Sequence, residues 1–274
     1  MDPRSLADAL CCPWCGKEGL QWADADSEIR CTCGRRIPVR DSVIDLTDLA
    51  GSRSDPEISM TFSQAAMRWM PLVKVYNLIW RRLTFPFVTW IPFSVEQRIV
   101  LGYHALHPSY RLLDIACGPG TYTREFARLI GEGGMVVGVD ASMEMLLQAA
   151  RTAKAQAGRR AGPAAPWFIR AAATRLPFRP RTFDGVNCTG ALHLFDTPDA
   201  VFERIHAVLK PGGVLSCMTL CRTASGPLEA ISERLGIRLF DIADLKERLE
   251  RKGLAVEEAT VSRRMVLFRA TART

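Results

Sequence analysis

The stretch that decides the fold is "LLDIACGPGTYT", residues 112–123. Leu112 to Ile115 is a short apolar run suited to a buried strand. Gly118 and Gly120 flank Pro119 in a tight bend, and Tyr122 to Ile130 carries apolar residues at helical spacing. A strand that turns through a glycine bend into a helix leaves open backbone at its carboxyl end, where open α/β sheets receive nucleotide-like ligands.

Downstream, "GMVVGVD" (134–140) reads as a second strand ending on Asp140, twenty residues past Gly120. An acidic side chain there can accept both ribose hydroxyls of an adenosine. A nicotinamide dinucleotide fold shares this spacing, but its fingerprint wants a third glycine at position 123, where this chain has Thr123. The bend therefore suits an adenosyl ligand without phosphates better. "LPFRPRTFDGVNCTGALHLF" (176–195) then predicts a turn at Leu176 to Phe178, a strand from Phe183 to Cys188 and a loop toward His193. "VFERIHAVLKPGGVLSCMTL" (201–220) predicts a helix, a Gly-Gly turn after Pro211 and a strand. "DLKERLERKGLAVEEATV" (244–261) adds a helix ending near Gly253 and another strand. This β/α alternation predicts a mostly parallel sheet with helices on both faces.

Ahead of this core, four of the nine cysteines fall in two close pairs, Cys12 and Cys15 in "CPWCG" and Cys31 and Cys33 in "CTCG". Two such pairs, each followed by glycine, suggest knuckles turning thiolates toward one structural zinc. A segment with so few large apolar residues needs a staple to fold; a disulfide is the alternative, and Cys11 could replace one ligand. "AGSRSDPEISM" (50–60) reads as a linker. The expected layout is a zinc-ribbon-like module at 1–49, a linker at 50–63, an aromatic helical cap or lid at 64–109 and the ligand-binding core at 110–274. In the cap, a helix over Leu72–Leu83 would align Val75, Leu78 and Ile79 on one side. Packing on the core, closing over a substrate, or touching a membrane surface are all open to it. The remaining Cys117, Cys188, Cys217 and Cys221 read as buried thiols.

The net charge of +7 is uneven: residues 1–59 hold seven basic and eleven acidic side chains, whereas 60–130 hold eight and three. Nucleic acid or an anionic membrane is thereby permitted as a partner, but not required. The start, "MDPRSLADAL", lacks a secretory pattern, which predicts a cytoplasmic chain. The greasiest region, Met70 to Phe93, is broken by Lys74, Arg81, Arg82, Pro86 and Pro92, short of the ~20 apolar residues that span a bilayer.

From Tyr110 onward the ordered series DIACGPGT, GVD, LPF, FDGV and LKPGG resembles the class I S-adenosylmethionine-dependent methyltransferases, in particular the group of ubiquinone/menaquinone C-methyltransferases. Residues 1–49, with the trailing "RRIPVRDSVIDL" (35–46), resemble the zinc ribbon found ahead of some bacterial methyltransferases, although Cys-Thr-Cys is a closer spacing than that family usually has. The resemblance implies a Rossmann-like, seven-stranded, mostly parallel sheet plus the small ribbon, with S-adenosyl-L-methionine and structural zinc as cofactors. It places Asp114, Ala116, Gly118 and Gly120 around the methionine part, Asp140 on the ribose, and Ser142 and Met143 beside the adenine. Cys117, Tyr122, Ala141, Ala172, Ala173, Cys188, Thr189 and Gly190 complete the lining. Ala116 stands where the family usually has glycine, and Ala172 where it usually has an aspartate that reaches the adenine amino group.

The sulfonium already carries an activated methyl, so alignment and desolvation supply most of the catalysis. His193 is the candidate base, or a histidine that only shapes the pocket. A small, largely apolar acceptor is preferred, taking a methyl on oxygen, carbon or sulfur by in-line displacement. The alternative is a ribosomal RNA base, which the ribbon and the basic stretch Arg151, Lys154, Arg159, Arg160, Arg170, Arg175, Arg179 and Arg181 would suit. A non-enzymatic binding protein on a degenerate cofactor fold is the third reading.

Overall fold

A computed structural model describes residues 3–18, 20–23, 28–47, 91–157, 165–222 and 237–274. The expected linker and the helix over Leu72–Leu83 lie outside these residues. In chain order the elements are α1 (Pro3–Ala9), β1 (Gln21–Ala23), β2 (Glu28–Arg30), β3 (Arg36–Arg40), β4 (Val43–Asp45), α2 (Phe93–Gly102), β5 (Arg111–Ile115), α3 (Thr121–Ile130), β6 (Met135–Asp140), α4 (Met143–Ala157), β7 (Trp167–Arg170), β8 (Phe183–Thr189), α5 (Pro198–Val208), β9 (Leu209–Leu220), α6 (Ile242–Arg251), β10 (Leu254–Ser262) and β11 (Met265–Ala272).

Strands β7, β6, β5, β8 and β9 lie side by side and parallel, and β11 runs antiparallel between β9 and β10. Every residue of β5 after Arg111 is buried, as its apolar run requires. In α3 the buried Tyr122, Thr123, Phe126, Ala127 and Ile130 form one stripe, which packs with Val100 of α2 over Leu112 and Val136. In α6, the Asp241 carboxylate accepts from the amides of Ala243 and Asp244, and Leu245 and Leu249 face the core. The expected Gly-Gly turn is absorbed into β9 as an irregularity: pairing jumps from Phe183↔Leu209 to Gly185↔Val214.

Two features go beyond the sequence reading. First, the ribbon continues the sheet. Strand β4 pairs in parallel with β7 through Val43↔Phe168, Ile44↔Ile169 and Asp45↔Arg170, and β3, β2 and β1 follow antiparallel, giving eleven strands in one order. All three β4 residues are buried, with Val43 in a cluster with Leu146, Ala149 and Phe168. Second, the crossover from β7 to β8 (171–182) holds only a single helical turn at Ala173–Arg175, and α1 covers the face it leaves bare. Leu6, Ala9 and Leu10 share the main core with Ile169, Leu176 and Phe178, Leu10 bridges Phe178, and the Cys11 amide donates to Pro177 at 2.9 Å.

Candidate functional site

At the carboxyl end of β5 three alternate residues adopt left-handed backbone: Ala116 (φ 52°), Gly118 (φ 53°) and Gly120 (φ 71°). A Cβ on Gly118 would meet nothing within 4 Å, so the bend opens onto the crevice above the strand ends. Gly120 serves packing instead, since a Cβ there would sit 3.0 Å from the Ala149 Cβ and 3.1 Å from the Phe168 ring. Asp140, ending β6, is tied to the bend. Its Oδ2 accepts from the Gly118 amide and its Oδ1 from the Ser142 amide, both at 2.8 Å. The Ala141 amide is a third backbone donor to this carboxylate, leaving about one of its roughly four acceptor positions for a ligand. Burial raises this carboxyl's pKa, and the amide bonds oppose that shift.

Ser142 caps α4 by accepting from the Met145 amide at 3.3 Å, and Met143 packs partly buried beside Leu146. Ala172 and Ala173 open the turn after β7 and offer a ligand only methyls and backbone. Near them Arg170 donates from Nε to the Ala141 carbonyl at 3.1 Å and from Nη1 to Asp45 Oδ2 at 3.2 Å. The sequence reading had placed Arg170 only in a basic stretch.

Beneath the bend runs a buried polar chain. Asp114 Oδ2 accepts from the Thr123 hydroxyl at 2.5 Å and its Oδ1 from the Asn187 amide at 2.6 Å. Asn187 Oδ1 accepts from the hydroxyls of Thr189 at 2.7 Å and Ser216 at 2.9 Å. Because the Ser216 proton is committed to Asn187, His104 Nε2 at 2.7 Å must donate to Ser216 Oγ, and His104 Nδ1 accepts from the Tyr110 hydroxyl at 3.1 Å. Burial, with Arg269 nearby, pushes the His104 pKa down to about 3, in keeping with this neutral tautomer. Asn187, Thr189 and Ser216 were legible as polar residues in otherwise apolar strands, but their connection depends on strands distant in sequence.

The other expected lining residues are placed as follows. Tyr122 donates its hydroxyl to the buried Glu96 at 2.7 Å. Cys117 and Cys188 direct their thiols into the core, Cys117 against Gly138 and Phe168 and Cys188 opposite Cys217, so they present backbone rather than sulfur. Burial pushes the Cys117 and Cys217 thiols well up. Gly190 (φ 82°) donates its amide to Met218 O at 2.9 Å and turns the chain toward His193. Burial alone lowers the His193 pKa to about 4, and its Nδ1 has no hydrogen-bond partner among the described residues.

The four N-terminal cysteines converge: the sulfurs of Cys12, Cys15, Cys31 and Cys33 all lie within 4.8 Å of one another, with Cys12–Cys33 at 3.9 Å and Cys15–Cys31 at 3.6 Å. These are far longer than a disulfide and close to the ~3.8 Å edge of a tetrahedron with ~2.3 Å zinc–sulfur bonds. Cys11 stands outside the group. Glycines with positive φ follow each knuckle, Gly16 (68°) and Gly34 (86°), and their amides donate to Cys12 O and Cys31 O at 2.9 Å. A backbone hydrogen bond from Arg35 brings the Cys33 pKa down to about 7, whereas burial drives that of Cys12 up to about 12.

The parallel strand order, the glycine bend and the acid at the end of β6 form a Rossmann-like α/β domain with the fold also seen in solved S-adenosylmethionine-dependent methyltransferases. Residues 112–213 match the family described as Methyltransferase domain. The ubiquinone/menaquinone biosynthesis C-methyltransferase UbiE of Pseudomonas paraeruginosa is 32% identical over 146 residues, covering 53% of this chain and 56% of that protein. Among solved structures, the cyclase SpnF superposes with a TM-score of 0.63 at 19% identity, covering 78% of this chain and 97% of its own. Haemonchus contortus phosphoethanolamine N-methyltransferase 2, in complex with S-adenosyl-L-methionine, gives 0.61 at 18% identity, covering 75% of this chain and 58% of its own. The chain spans about half the length of the curated relatives it matches. Among the described residues no helix is long and apolar enough to cross a membrane.

Proposed function

We propose that the chain is an S-adenosyl-L-methionine-dependent methyltransferase acting on a small, largely apolar acceptor. The observation that carries this reading is the open bend of Ala116, Gly118 and Gly120 with the Asp140 carboxylate fixed against its backbone. Bound S-adenosylmethionine would supply an activated methyl on a sulfonium. The chain's part is then to hold the ribose at Asp140, leave Gly118 backbone open to the methionine end and seat adenine by Met143 and the backbone of Ala172. Thr189 and Gly190 would form the rim facing the transferred group, and the polar chain through Asn187 keeps the Thr189 hydroxyl turned inward. His193 is neutral at pH 7 and its unpartnered Nδ1 is buried, so it would take an acceptor's proton only where the bound acceptor reaches that nitrogen. Cys12, Cys15, Cys31 and Cys33 would hold a structural zinc. With four thiolates the coordination shell is closed, so no substrate chemistry falls to it.

Support for a small acceptor over RNA comes from the basic stretch itself. Arg151 pairs with Asp41 (3.8 Å), Arg170 with Asp45 (3.2 Å) and Arg179 with Glu18 (3.3 Å), so ribbon carboxylates meet cations a phosphate backbone would need. Methyl-labelled S-adenosylmethionine, offered with a metabolite extract and with ribosomal RNA from cells lacking the gene, tests the reading. Label in the organic fraction sustains it, whereas label in RNA replaces the acceptor class.

A further inference from the structure

The ribbon and the ligand site meet at one side chain. The Ala141 carbonyl that Arg170 holds and the Ser142 amide that donates to Asp140 belong to the same peptide group. That peptide is thus gripped at both ends, by a guanidinium on its oxygen and by the ribose-binding carboxylate on its nitrogen. Arg170 is in turn anchored by Asp45, the last residue of β4, whose carboxylate is 2% exposed and also accepts from the Thr47 amide and hydroxyl at 3.1 and 2.6 Å. The Leu46 amide closes the junction by donating to Arg170 O at 3.0 Å. A second contact runs in parallel, because Val43 of β4 is buried beneath α4, the helix that Ser142 and Met143 begin.

We propose that Arg170 is a positioning residue for the adenosyl ligand, fixed by Asp45, so that the ribbon's folding and ligand binding are reciprocally coupled. The inference rests on the cofactor reading above. It also accounts for Ala172: with no carboxylate on that turn, the orientation of the 140–143 segment carries more of the recognition, and the ribbon edge sets it. A four-thiol module that loses its fold releases β4, Asp45 leaves Arg170, and the 141–142 peptide is freed to rotate away from Asp140. Reciprocity then requires that ligand binding stabilise the ribbon by the same factor.

The test titrates the full-length chain with S-adenosylhomocysteine and with 5′-methylthioadenosine, which lacks the amino-acid end. Arg170→Met should fold, since Asp45 keeps its two Thr47 bonds and the Arg170 side chain, at the carboxyl end of β7, is only partly buried. The expected result is an affinity loss of about 10-fold for both ligands, the same in Asp45→Asn and no larger in the double variant, with circular dichroism unchanged. Arg170→Lys, which keeps the charge but not the forked geometry, should recover only part of the loss. Zinc-loaded wild type should also release metal to a chromogenic chelator more slowly when saturated with S-adenosylhomocysteine, and Arg170→Met should show less of this protection. Equal binding by wild type and variants, or multiplicative losses in the double variant, would overturn the proposal. No binding of either ligand to wild type would instead remove the cofactor reading beneath it.

Discussion

The two edges of the sheet are finished by different means. At one edge β10 and β11 form a long antiparallel pair, running from Leu254↔Ala272 to Ser262↔Met265 with one bulge between Val256 and Glu258, and Met265 to Phe268 are all buried. At the other, β4 pairs with β7 over only three residues, and the ribbon behind it has a short core of Leu20, Ile29, Ile37 and Ile44. The C-terminal edge is held by extent: paired backbone and apolar area. The N-terminal edge is held by a few specific groups, a thiol cluster and one buried acid. An edge of the second kind depends on its chemistry staying intact, and changes of comparable size should therefore have unlike consequences at the two ends.

The largest effect is expected at the thiols. Cys31→Ser removes a buried member of the cluster; with zinc in the proposed site, whose binding free energy is folding free energy, the ribbon should lose on the order of 5 kcal/mol or more. Hydrogen exchange would show α1 and β4 amides unprotected while β10 and β11 stay slow. Unchanged protection in α1 would mean that its packing on Leu176 and Phe178 suffices without the cluster. Next, Phe268→Ala on β11 deletes a side chain that is 2% exposed and should cost about 3–5 kcal/mol in denaturant unfolding. Here metal stoichiometry should not change, because the damage lies far across the sheet from the ribbon.

A pH titration separates the edges again. His104 (pKa about 3) and His193 (about 4) are depressed by burial, so each is neutral in the fold and takes up a proton more readily once unfolded. Their contribution to stability is complete above about pH 6.5 and is lost as pH falls toward those values, at about 1.4 kcal/mol per pH unit for each histidine. Chemical denaturation between pH 6.5 and 4.5 should show this slope, and His104→Gln should roughly halve it. His104 bonds to Ser216 on β9, so this sensitivity belongs to the β8–β9 side, not to the ribbon edge.

Much of this molecule was readable locally. Alternating apolar runs and glycine bends gave β5, β6, β8 and α3 nearly to the residue, because their signals lie within a dozen positions of one another. The bend at Gly118, its tie to Asp140 and the convergence of the four cysteines carried equally local signatures. What could not be read was joining between distant segments. "SVIDL" (42–46) looks like the tail of a ribbon, and nothing within it says that Asp45 will face Arg170, 125 positions away. The chain Asp114–Asn187–Ser216–His104 hid for the same reason, as did the use of α1 to cover a crossover that lacks a helix. Cys117, in the turn after β5, and Cys188, in β8, were placed in the lining by motif position, and both thiols are turned into the core, as their apolar surroundings indicated.

The smallest predicted effect lies at Ala116, where the two edges share a common centre. Its φ of 52° places an L side chain in the left-handed region, which costs it roughly 1 kcal/mol or more. Ala116→Gly removes that strain but adds freedom to the unfolded chain, worth about 0.4–1 kcal/mol in the other direction. The expected net change is between zero and about 1 kcal/mol of stabilisation, read as a small rise in the denaturation midpoint. Affinity for S-adenosylhomocysteine is the sharper readout. If the methyl merely sits beside the ligand, binding stays within about 2-fold of wild type. A clear loss would show that the strained alanine helps hold the bend in shape for Gly118 and Asp140, with the more pliable glycine releasing it.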